Sequence, residues 1–179
     1  MRTPLFVGGF MLLGLTMSVG YAAGRAGPDQ QFFEKHVNEL VKVQAVPLDN
    51  PALDKVMAGK FFTLNLTVAQ GIETEVVARL GDKIVQITLP SETAPIPGLK
   101  ELVKPDFKLS SDADAHALQD VFDILYPVDS DGAKVKTIRH EGDTWTFVRG
   151  KFFEHLEGLI VKTDAKGTIE SVSRSLEVK

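Results

Sequence analysis

The sequence predicts an α+β domain, a mostly antiparallel sheet of about seven strands with two main helices packed on one face. Three observations carry this expectation. Two hairpins turn on glycine–aspartate pairs, at Gly81-Asp82 and Gly142-Asp143, and apolar residues match across both. The stretch SSDADAHALQDVFDILYP has a capped start and an apolar stripe at helical spacing. The chain contains no cysteine, so burial rather than disulfides must hold the fold.

From the N-terminal side, residues 28–42 read as a helix. Phe33, Val37, Leu40 and Val41 recur at helical spacing, and Asp29 sits in the first turn, where the helix dipole favours an acid. AVPLDNPALDKVMAG then reads as a connection with one short helical turn at 51–57. KFFTLNLTVAQ alternates: Phe62, Leu64, Leu66 and Val68 point one way, and Thr63, Asn65 and Thr67 point the other. That is a half-buried strand.

ETEVVARLGDKIVQITLP follows as a hairpin, because glycine supplies the positive φ of a two-residue turn. With Leu80 opposite Lys83, Ala78 meets Val85 and Val76 meets Ile87, all on one face. A one-residue slip would destroy the match. Residues 90–97 are proline-rich and read as a loop, and GLKELVKPDF as a helical turn or two stopped by Pro105. The strongest helix starts at Ser111, with Asp114 three residues on completing an acidic capping box, and ends before Pro127.

KVKTIRHEGDTWTFVRGKFF is the second glycine–aspartate hairpin. Glu141 opposite Thr144 pairs His140 with Trp145 and Ile138 with Phe147. A third hairpin turns at Asp164-Ala-Lys-Gly167, a type I turn with its glycine left-handed. Its register is open, because both faces carry apolar residues. Residues 27–179 are therefore expected as a single α+β domain with possible halves 27–96 and 97–179. Each half places a helix before an FF-bearing strand region and a Gly-Asp hairpin, which suggests a tandem α–β repeat.

Residues 1–26 have the layout of a secretory signal peptide. Arg2 is the positive n-region, Leu5 to Val19 is uncharged and apolar, and small residues follow up to Ala26. The apolar run is shorter than the roughly 20 residues of a spanning helix. Cleavage is expected between Ala22 and Ala26, and an uncleaved anchor is the alternative. Without cysteine no lipid anchor of the lipobox type can form. Cleavage at Ala26 removes Arg2 and Arg25 and no acid, which moves the formal net charge from −4 to −6. That acidity argues against nucleic acid, which needs clustered Lys and Arg. The expected location is periplasmic or secreted, with no stable membrane anchor after cleavage.

The chemistry-bearing residues are few. Trp145, Phe147 and Ile138 share a hairpin face and read first as core. The functional reading places Trp145 near the hairpin tip, stacking on a ligand with His140 beside it. Gly150 breaks the alternation, so Arg149, Lys151, Phe152 and Phe153 are expected at a bulge or strand end, with side chains re-aimed outward. Glu154, His155 and Glu157 form an acid–imidazole group that could bind zinc or act as a base, although a solvated loop is the simpler reading. His36 and His116 belong to helices and have no second histidine at i, i+4. DSDG at Asp129–Gly132 fails as a calcium loop, because Pro127 and Ile138 occupy ligand positions. No G-x-S-x-G nucleophile elbow and no glycine-rich phosphate loop occurs outside the leader.

The expected function is thus an exported, non-enzymatic binding protein that recognises a protein or small ligand through a sheet surface. The candidate residues are Trp145, Arg149, Lys151, Phe152, Phe153 and His140. No catalytic residue, metal or cofactor is expected. The alternatives are a periplasmic carrier of an apolar ligand, motivated by the two-faced third hairpin, and a hydrolase or metal-dependent enzyme built on Glu154, His155 and Glu157.

Overall fold

The computed structural model describes residues 27–37, 41–127, 137–152 and 155–176. Residues 1–26, the DSDG stretch at 129–132, Phe153 and Glu154 lie outside them. Among the described residues the fold is α+β, with nine strands and four helices, and every strand pairing is antiparallel. The strands form two sheets rather than one of seven. The first, ordered β1-β2-β3-β4, comprises β1 (Lys42–Pro47), β2 (Lys60–Val68), β3 (Gly71–Leu80) and β4 (Lys83–Gln86). The second, ordered β5-β9-β8-β7-β6, comprises β5 (Ala94–Pro95), β6 (Thr137–Glu141), β7 (Thr144–Phe152), β8 (His155–Thr163) and β9 (Ile169–Ser175).

Both glycine–aspartate hairpins take the expected register. Leu80 pairs with Lys83 and Ala78 with Val85, and Ile87 donates its amide to the Val76 carbonyl at 3.1 Å. In the second hairpin Glu141 pairs with Thr144, His140 with Trp145 and Ile138 with Phe147. Two strands extend the expected set. Val41, Val43 and Ala45 are half-buried and alternate with exposed Lys42, Gln44 and Val46, which is a strand rhythm. The first helix, α1 (Pro28–His36), accordingly ends at His36 and not at Lys42. β5 is only two residues long and pairs with Ser173 and Arg174 of the last strand. The segment 27–96 therefore contributes a strand to the sheet of the segment 97–179.

The helices do not share a face. α1 covers the outer side of the first sheet, where Phe33 meets Phe62 edge-on at 4.9 Å. Asp29 pairs with Arg79 at 2.7 Å and with Lys60 at 3.1 Å, and the Arg79 guanidinium lies 3.8 Å above the Phe32 ring. Adjacent Phe61 and Phe62 explain the two-sided burial: on a strand they point to opposite faces, and both are buried. Phe61 joins a larger core with Ala78 and Ile87, with Leu53 and Val56 of α2 (Pro51–Val56), and with Leu99 and Leu102 of α3 (Leu99–Leu102). The same core takes in Leu118, Phe122 and Leu125 of α4 (Asp112–Leu125), and Trp145, Phe147, Leu159, Val161 and Val172 of the second sheet. α4 begins as its sequence specifies: the Ser111 hydroxyl accepts from the Asp114 amide and donates to the Asp114 carboxylate at 2.6 Å. Its Phe122 packs edge-on against Phe147 at 5.2 Å. Each such buried aromatic contributes roughly 1.5–3 kcal/mol by burial.

Candidate functional site

Two places along strand β7 gather polar side chains against the core. The first lies at the hairpin end of the second sheet. Trp145 faces inward and is 3 % exposed, so the core reading of this residue holds. His140, its cross-strand partner, is exposed and lies flat on the indole, with ring centres 3.8 Å apart and planes 9° from parallel. Its Nε2 donates to the Gly142 carbonyl at 2.9 Å, which fixes the ring. Around this pair opens a cleft of about 440 Å³, lined also by Ser110, Asp143, Asp164 and Lys166.

Local bonding pre-forms that cleft. Thr163 donates its amide to the Asp143 carbonyl at 2.9 Å and ties the tip of one hairpin to the next strand. Asp164 accepts from the amides of Lys166 and Thr168, each at 2.8 Å, which closes the third turn and holds its carboxyl below the ordinary range. Gly167 takes the expected left-handed φ of +76° and bonds with Leu109 across the cleft floor, the Leu109 amide donating at 2.9 Å. A methyl at Gly167 would stand 3.0 Å from the Leu109 carbonyl oxygen, so the position combines close approach with positive φ.

The second place is the bulge. The register of β7 on β8 shifts between Val148 and Gly150, where the sequence breaks its alternation. The side chain at the break turns inward, contrary to the outward aim expected for it: Arg149 is 4 % exposed. It meets two further buried charges. Glu157 receives Arg149 Nη1 on one carboxylate oxygen at 3.2 Å and Arg174 Nη2 on the other at 3.1 Å. Arg174 also donates to the Pro90 carbonyl. Tyr126, at the end of α4, has its ring centre 5.8 Å from the Arg149 guanidinium carbon. Burial raises the Tyr126 hydroxyl far above the ordinary tyrosine range, and burial also lowers Arg149, against the opposing fields of Glu157 and Asp123.

The expected site residues are thus divided. His140 and Trp145 come together at one end, and Arg149 stands further along β7 in a different group. Lys151 and Phe152 pair with Leu156 and His155 at the end of the strand. Glu157 belongs to the arginines: both its oxygens are engaged, which removes it from the base or zinc role considered for it with Glu154 and His155. His36 and His116 each bond the carbonyl four residues back in their own helices, at 2.8 and 2.7 Å. No group of three or more potential metal ligands, and no helix long and apolar enough to cross a membrane, occurs among the described residues.

Arg174 and Tyr126 were not anticipated. A signal for Arg174 existed, because it shares strand parity with inward Val172. No family model, curated protein or solved structure matches the chain.

Proposed function

We propose that the protein is an exported, non-enzymatic binding protein that seats a small polar ligand with a planar face in the cleft at the hairpin end of the second sheet. The observation that carries this reading is the exposed imidazole of His140 held parallel on buried Trp145. A ring fixed on one side by an indole and open to a cleft on the other is a stacking platform whose orientation is already set. Such preorganisation lowers the entropic cost of binding. Ser110, Asp143 and Lys166 supply donors and acceptors at the rim, where a small number of polar groups fixes a ligand's orientation.

Export rests on the leader-like segment 1–26 and on the acidity of the remaining chain. Mass measurement of the protein recovered from the periplasm or medium tests it, since retention of Met1–Ala22 would contradict cleavage.

Trp145 is the only tryptophan, so its emission reports the cleft directly. Nucleosides, monosaccharides and aromatic amines are titrated against the full chain. A saturable emission change that disappears in His140→Ala supports the reading. A panel that leaves Trp145 emission flat, or acts equally on both proteins, overturns it.

A further inference from the structure

We propose that the bulged end of β7 is a second binding site, in which Arg149 and Tyr126 take a carboxylate or a similarly sized oxyanion. The argument starts from a donor count. Glu157 occupies only Nη1 of Arg149. The remaining edge of the guanidinium, Nε and Nη2, is buried and without a hydrogen-bond partner among the described residues, as is the Tyr126 hydroxyl. Nε and Nη2 carry parallel N–H groups on one side of a rigid plane, the fork that matches the two oxygens of a carboxylate or phosphate. Tyr126 keeps its proton over the ordinary pH range and is therefore a third donor. Three donor atoms left in one buried group call for an acceptor, because an unsatisfied buried donor has lost its water and gained no partner.

Arg149 and Arg174 both pair with the carboxylate of Glu157, and all three side chains are at least nine-tenths buried. Asp123 on α4 adds an opposing field at Arg149 from a half-buried position. The fork itself is nonetheless unmatched, and hydrogen bonds to charged groups are the strong ones. Arg149 follows Trp145 and Phe147 by twos onto the side of the sheet that holds Leu159 and Arg174, and the register shift at Val148/Gly150 leaves it as the extra residue of the bulge, opposite no residue of β8.

The site differs from the His140–Trp145 cleft in position and in readout, so the two proposals fail separately. Thermal unfolding of the full chain is measured in sodium acetate, sodium sulfate and sodium chloride at matched ionic strength. Acetate tests a planar carboxylate, and sulfate tests a tetrahedral oxyanion such as phosphate. The wild type is expected to gain about 3–5 °C over chloride at tenfold the dissociation constant of the preferred anion. Tyr126→Phe, which removes one donor and little volume, is expected to lose part of that gain. Arg149→Lys, which keeps the charge and loses the fork, is expected to lose all of it. Equal gains in all three proteins would mean general salt exclusion and overturn the proposal, as would no gain in the wild type. Should Arg149→Lys fail to fold, the ultraviolet titration of Tyr126 decides. An anion bound at its hydroxyl raises the tyrosine transition further in the preferred salt, and an unchanged transition sinks the site.

Discussion

His140 lies flat on Trp145, imidazole over indole at 3.8 Å, and its Nε2 donates to the Gly142 carbonyl within the same turn. One exposed ring thereby shields one buried ring. His140→Ala is expected to uncover the indole and shift the emission of the sole tryptophan to longer wavelength. The loss in stability should be about 0.5–1.5 kcal/mol, the range for a stacked aromatic pair. An unshifted emission maximum would show that other side chains, not His140, keep water from Trp145.

Glu157→Gln tests the buried charge group. The amide keeps the shape of the carboxylate and loses its charge, which leaves Arg149 and Arg174 facing each other in the interior. Removing one partner from such a group typically costs about 3–5 kcal/mol, because the desolvated charges remain. Denaturant unfolding checks the magnitude. Replacing Arg149, Glu157 and Arg174 together by Met, Leu and Met should recover most of the loss.

The sequence made some of this legible and not the rest, for identifiable reasons. Leu80 against Lys83 and His140 against Trp145 were readable because each hairpin has a two-residue turn that locks register to an alternating pattern. β1 was not, because Phe33, Val37, Leu40 and Val41 carry helical spacing into a strand whose own alternation spans only Val41, Val43 and Ala45. The split into two sheets depends on which partner each edge strand finds, and β5, two residues long, leaves no periodic trace. The bulge was visible at Gly150, and the expectation that it re-aims Arg149 outward set aside the parity of Arg149 with Trp145 and Phe147, which already points it inward. Parity would have helped: Glu157 follows Leu159, and Arg174 follows Val172, onto the buried face.

Gly167→Ala separates two costs at the cleft floor. Alanine at φ +76° pays for the left-handed backbone, about 1–2 kcal/mol, and also brings its methyl 3.0 Å from the Leu109 carbonyl oxygen. Gly142→Ala is the control. Its φ is +61° and no atom lies within 4 Å of the added carbon, so only the backbone cost applies. Thermal unfolding should rank Gly167→Ala below Gly142→Ala, and equal losses would mean that the Leu109 segment moves aside freely.

The start of α4 should be acid-sensitive. The Ser111 hydroxyl, foremost among several hydrogen bonds, holds the Asp114 carboxyl below its ordinary value of 3.8. The folded value lies under the unfolded one, so the stabilisation is complete above the ordinary value and is lost as pH falls through the folded value. Ser111→Ala is expected to cost about 0.5–2 kcal/mol near neutrality, the usual worth of such a cap. The gap between the variant and the wild type should narrow below about pH 4. A gap independent of pH would assign the cap to the Ser111 oxygen alone.

Tyr126 gives the opposite dependence. Burial is the main cause of its raised value, and the charge of Arg149 only partly offsets it. Its folded value lies above the unfolded one, near 10.0, so the stabilisation is complete below that pH and is lost as pH rises toward the folded value. The chain has two tyrosines, and with Tyr21 removed by cleavage, or replaced by Phe where residues 1–26 are retained, the tyrosinate absorbance belongs to Tyr126 alone. The expected result is no tyrosinate in the native protein at pH values where free tyrosine is largely ionised. The absorbance should then rise in one step together with unfolding, as judged by circular dichroism. Ionisation at the ordinary pH with the fold intact would place the hydroxyl in water, and would remove Tyr126 from the buried group it shares with Arg149.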